Sequence, residues 1–236
     1  MMRIGRRSVL ALAGRTALGL AAVGLAAGPA RAEGEQLLVD QARITVDTFA
    51  GMEDMQGMRN MLARAKAVMV FPELLKGGFI IGGEGGSGLL LARNGQSGEW
   101  GAPAFYAMFA GSIGLQIGGE VSQVMLLIMT DKGLEAVFRN EFKLGGDASL
   151  AVGPVGRGVE ASATTNMRDD IYAFSISKGL FGGVSLEGAV INARHSRNQA
   201  YYGRALTPRD IVMGPPGAAG TERLRGSLRA AAVAAK

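Results

Sequence analysis

The sequence predicts an α+β fold: two N-terminal helices packed on a glycine-rich antiparallel sheet that curls into a barrel or sandwich, with a short inserted helix. Apolar residues recur at three- and four-residue spacing between residues 35 and 65. From Ala67 onward the chain breaks into short β-rich runs punctuated by glycine. The 236 residues hold 37 glycines against 14 aromatics, a bias toward tight turns and close backbone packing.

The first helix is expected over residues 35–50, where Leu37, Leu38, Ile44 and Phe49 stand among acids and amides, with Val39, Ala42 and Val46 near the same side. Gly51 closes it. The second, from about Glu53 to Ala65, repeats Met52, Met55, Met58, Met61 and Leu62. Such a stripe reads first as core and second as a soft surface for a protein partner or lipid. Strands are expected at Ala67–Phe71, Phe79–Gly82, Gly88–Arg93, Ala104–Phe109, Ile113–Ile117 and Val121–Met129, joined as an antiparallel meander. Thr130 or Asp131 caps the inserted helix, which runs to about Phe138. Strands resume at Ala148–Val152, Gly158–Thr165, Ile171–Ser177, Val184–Ala193 and Gln199–Tyr202. Alternation in Ile171–Ser177 puts Tyr172, Phe174 and Ile176 on one face and Ala173, Ser175 and Ser177 on the other. A closing helix starts at Thr207-Pro208, and Gly214-Pro215-Pro216-Gly217 reads as a linker to a basic, Ala-rich tail, residues 214–236.

Residues 1–32 have the pattern of a cleavable export signal. They contain Arg3, Arg6, Arg7, Arg15 and Arg31, no acid, an apolar middle, and Ala30-Arg31-Ala32 before a cut ahead of Glu33. Arg6-Arg7 followed by Ser8-Val9-Leu10 resembles a twin-arginine signal, with the general secretory route as the alternative. The apolar run Thr16 to Gly28 is too short for the ~20 residues of a membrane span. The expected location is the periplasm or outer envelope of a bacterium, with peripheral membrane association. The net charge of +5 belongs to this segment. Residues 33–213 carry 16 Lys and Arg against 19 Asp and Glu, which removes the main support for nucleic-acid binding.

The chemistry available is narrow. With no Cys and one His, His195, the chain lacks thiol catalysis, cysteine-zinc sites and iron–sulfur clusters. Gly83-Glu84-Gly85-Gly86-Ser87-Gly88 matches a dinucleotide fingerprint, but Leu89-Leu90-Leu91 follows as a strand where that motif needs a helix, so it reads as a glycine-rich turn. Asp169-Asp170 points to opposite faces of a strand and reads as a turn cap. His195 falls in a polar loop. No enzyme, cofactor or metal is expected.

The ordered set Ala65-Lys66-Ala67-Val68-Met69-Val70-Phe71-Pro72, Lys76-Gly77-Gly78-Phe79, Gly82–Gly88 and Trp100-Gly101-Ala102-Pro103-Ala104-Phe105 strongly resembles the SYLF domain. The likeness continues through Gly114-Leu115-Gln116-Ile117-Gly118, Leu144-Gly145-Gly146-Asp147, Gly153–Arg157 and Tyr172–Gly183, covering about residues 36–212. It assigns residues 33–213 to one SYLF-like domain. The resemblance implies phospholipid binding: eukaryotic members bind phosphoinositides and some bind actin filaments, usually beside a FYVE or SH3 domain. An exported bacterial member would meet an anionic phospholipid membrane instead. The candidate lipid-binding residues are Arg64, Lys66, Lys76, Phe79 and Arg93, cations and an apolar side chain around glycine-rich turns, together with Lys178. The alternatives are a module that self-assembles or takes a protein partner on its methionine face, and a carrier whose sheet encloses a lipid tail.

Overall fold

A computed structural model of the chain describes residues 29–78, 81–113, 118–153, 168–179, 186–215 and 220–233. Its centre is β1 (Ala67–Gly78), which is apolar on both faces: Val68 and Val70 point to one side, Met69 and Phe71 to the other, and all are fully buried. Around it lie β2 (Ile81–Ala92), β3 (Ala104–Ile113), β4 (Gly118–Ile128), β5 (Glu141–Lys143), β6 (Leu150–Val152), β7 (Ile171–Gly179) and β8 (Val190–Ala193). They form one curled half-barrel sheet in the order β5-β8-β3-β2-β1-β4-β7-β6. The predicted meander is corrected here. β4 follows β3 in sequence but pairs with β1, on the far side of the β1–β2 pair, and β6 runs parallel to β7.

One face is covered by α1 (Pro29–Gly51), a 3-10 turn at Glu53–Met55, α2 (Gln56–Leu62) and α6 (Glu222–Val233). Met55, Met58 and Met61 are buried in this layer, so the methionine stripe is core and offers no partner surface. The segment read as a tail forms α6, and Leu224, Leu228 and Ala231 are buried among residues of α1 and α2. Its three apolar positions at helical spacing outweigh the basic, Ala-rich composition that suggested a weak helix.

On the other face lie α3 (Asp131–Val137), capped by the Thr130 hydroxyl, and α5 (Pro208–Val212), where Thr207 and Asp210 form a capping box. The predicted strand Gln199–Tyr202 is instead part of α4 (His195–Tyr202), whose buried Asn198 accepts a hydrogen bond from the Phe105 amide at 2.8 Å. Asp170 is more than a turn cap. Its buried carboxylate accepts hydrogen bonds from Thr130, Lys132 and Ser149, tying α3 to the start of β7. The predicted strand Gly158–Thr165 lies outside the described residues.

The glycine-rich motif is a strand, not a turn: Gly83–Gly88 sit inside β2. Opposite them β1 carries one extra residue, since Val70 pairs with Leu89 but Leu75 with Gly85. This β-bulge falls at Pro72-Glu73, where proline has no amide to give the ladder. A Cβ on Gly86 would overlap the Glu73 carbonyl oxygen, and one on Gly88 would meet the Phe71 ring and, at 2.6 Å, the Val70 carbonyl oxygen. Glycine is therefore required at both positions by the close approach of β1.

Candidate functional site

The candidate cations separate into two groups at opposite ends of β1, roughly 30 Å apart by strand rise. At the first end Arg93 is a structural clamp. Its guanidinium stacks 4.4 Å over the buried Trp100 ring and donates to the carbonyls of Leu62, Ala65 and Gly98. Lys66 pairs with Asp131 at 2.8 Å, and Arg64 is exposed just after α2. At the far end lie Lys76 and the Lys178 position, on opposite faces of the sheet. Phe79 lies outside the described residues.

The bulge decides this division. Side chains alternate along a strand, so without the extra residue Lys76 would share the face of Val68 and Val70. With it, Leu75 takes the helix-covered face and Lys76 the other.

Beyond the reach of the helices, the helix-covered face carries one row that crosses seven strands. Successive register pairs join Lys143 of β5, Val190 of β8, Phe109 of β3, Gly85 of β2, Leu75 of β1, Val121 of β4 and Lys178 of β7. The middle is apolar and open to solvent: Leu75 is 57% exposed, Phe109 51% and Val121 39%. A lysine stands at each end. At about 4.8 Å per strand the row is roughly 29 Å long. The Phe109 ring lies over Gly85, where an added Cβ would sit 3.1 Å from it. One step toward the hairpin tips, the same face carries Gly111, Gly83, Gly77 and Gly119 in register. A Cβ on Gly77 or Gly111 would touch nothing within 4 Å, so crowding inside the chain does not explain these two. Beside Val121 opens a cleft of about 250 Å³ between α1 and the bulge, lined by Ile44, Pro72 and Ile176 with Gln41, Thr45, Glu73 and Gln123.

Sequence reading missed Lys143, Phe109, Val121 and Val190 as members of one surface. They are far apart in the chain, and only pairing across a non-sequential strand order brings them together. Leu75 carried a local signal, an apolar residue beside Lys76 after a proline, but its face depends on the bulge. Among the described residues no helix is long and apolar enough to cross a membrane, and no three His, Asp or Glu residues are placed to hold a metal.

The fold and this surface define a helix-backed, glycine-rich sheet domain that exposes an apolar row across its strands. A family model described as "Ysc84: Las17-binding protein actin regulator" matches residues 109–231, and the chain belongs to this family, the one to which the SYLF resemblance pointed. Among curated proteins, the SH3 domain-containing YSC84-like protein 1 of Rattus norvegicus is 33% identical over 156 residues, 66% of this chain and 45% of the relative. Protein YSC84 of Saccharomyces cerevisiae is 36% identical over 167 residues, 67% of this chain and 35% of the relative. LAS seventeen-binding protein 3 of the same yeast is 36% identical over 160 residues, 66% and 34% of the two chains. The chain thus spans less than half the length of these relatives. No solved structure matches it.

Proposed function

We propose that this chain is a non-catalytic module that docks on anionic phospholipid membrane, reached in the bacterial envelope after export through residues 1–32. The observation that carries the reading is the row Lys143–Val190–Phe109–Gly85–Leu75–Val121–Lys178. Exposed Leu75, Phe109 and Val121 suit the acyl boundary, and lysines at both ends suit the phosphate plane. A soluble surface normally keeps such residues apart, so an aligned apolar row calls for a partner.

This reading shifts the binding work among the sequence candidates. Lys178 stays in it and Leu75 and Lys143 join it. Arg93 and Lys66 are engaged within the fold at the distant end.

Co-sedimentation of the full chain with vesicles tests the proposal. Binding is expected to phosphatidylglycerol-containing vesicles and not to pure phosphatidylcholine. Replacing Lys143 and Lys178 together by Ala should weaken it about 30-fold, at roughly 1 kcal/mol per lysine near an anionic surface. Equal recovery with both vesicle types would refute the electrostatic reading. The relatives' names speak of Las17 binding and actin regulation. A protein partner on the same row is the second reading, and it takes precedence if neither vesicle type is bound.

A further inference from the structure

One residue nearer the hairpin tips, and on the opposite face of β1, β2 and β4, lies a charged row. Lys76 of β1 pairs in register with Glu84 of β2 on one side and Glu120 of β4 on the other. Both carboxylates are buried, Glu84 5% and Glu120 3% exposed. Among the described residues, Glu84 Oε1 and Glu120 Oε2 have no hydrogen-bond partner. The other Glu120 oxygen accepts from the Ser122 hydroxyl at 3.3 Å, and Ser122 lies 3.0 Å from the Ser177 hydroxyl. Next along the row stand Ala110 beside Glu84 and Gly179 beside Glu120, neither with charge to offer. Glu73, at the bulge, lines the cleft under α1 instead.

Among the described residues in this row, two carboxylates therefore face one ammonium. If both were ionised, one buried negative charge would have no compensating cation among the described residues of the row, which is far more costly than protonating it. We propose that the Glu84–Lys76–Glu120 row binds one proton and that this proton couples pH to docking, because its loss puts an unmatched negative charge directly behind the docking row. The coupling rests on the membrane reading above; the proton site does not. Glu84 is the group that carries the proton. Burial pushes its pKa above the ordinary carboxylate value, with Lys76 opposing and Glu120 adding to the rise. An anionic membrane surface would favour the protonated, docked form, since it concentrates protons as it does other cations.

Two measurements on the full chain decide this separately. In a ¹³C side-chain carboxyl titration by NMR, one glutamate should titrate above the usual range, and that signal should vanish in Glu84→Gln. A Glu84 carboxyl that titrates within or below the usual carboxylate range would overturn the proton site. In vesicle binding with phosphatidylglycerol, the native chain should bind about three- to tenfold more tightly at pH 5.5 than at pH 8, tenfold being the limit for one unit of linked shift. Glu84→Gln, which mimics the protonated acid, should hold the tighter affinity at both pH values. Identical pH profiles for the two proteins would overturn the coupling. If the native chain binds no vesicles at any pH, the membrane reading and the coupling both fall, while the titration still rules on the proton site.

Discussion

Asp170 and Glu84 are both buried carboxylates, and they titrate in opposite directions because their partners differ. Around Asp170, burial would raise the pKa, but hydrogen bonds from Thr130, Lys132 and Ser149 outweigh it and hold the group down at about 2. A depressed carboxylate contributes stability that is present above its unfolded pKa and lost as pH falls through its folded one. Urea denaturation should therefore show stability falling by about 2 kcal/mol between pH 4 and pH 2, and Asp170→Asn should remove most of that dependence. Glu84 carries the opposite sign. Its raised pKa costs stability as pH rises from about 4.5, so Glu84→Gln should be stabilising at pH 8 and close to neutral at pH 4, read by the same denaturation. Glycines likewise divide by surroundings. Gly88→Ala forces a methyl into Phe71 and the Val70 carbonyl and should cost about 2 kcal/mol, whereas Gly77→Ala meets nothing and should gain several tenths to about 1 kcal/mol in urea melts.

Among the elements, β1 shows most clearly what the sequence could and could not tell. Its apolar run from Ala67 to Phe71 announced a strand, and Pro72 stopped that reading at the point where the strand only bulges and continues to Gly78. The glycines of β2 looked like a turn because their packing reason lies in the bulge of another strand. The helical periods of α1 and α2 and the cap of α3 were legible locally, since a helix face and a cap are set by neighbours three or four residues away. The lysine-bracketed row was not legible, because it joins residues from 75 to 190 through a register fixed by tertiary pairing. In α6, three buried apolar residues hide within an Ala-rich composition. Leu228 is fully buried against the N-terminal helices, so Leu228→Ala should destabilise the domain by about 2–4 kcal/mol in thermal or urea unfolding.

For the molecule as a whole, charge and shape have to be read together. The basic excess lies in residues 1–32, and residues 33–213 are slightly acidic, so the proposed attraction to an anionic surface is local rather than global. In the proposed reading that locality comes from exposed Leu75, Phe109 and Val121, in a register row that ends at the Lys143 and Lys178 positions. The opposite face of β1, β2 and β4 holds Lys76 between the buried Glu84 and Glu120, the row on which the proposed pH coupling rests. The most direct measurement places a reporter in the row itself. Trp100 is the single tryptophan and is fully buried, so replacing Phe109 by Trp adds one exposed indole against a constant background. On addition of phosphatidylglycerol vesicles the emission of the Phe109→Trp chain should shift to the blue and be quenched by brominated acyl chains. An emission that stays at its solvent-exposed wavelength and is untouched by brominated lipid, under conditions where the protein sediments with the vesicles, would contradict the assignment of this row as the membrane-contacting surface.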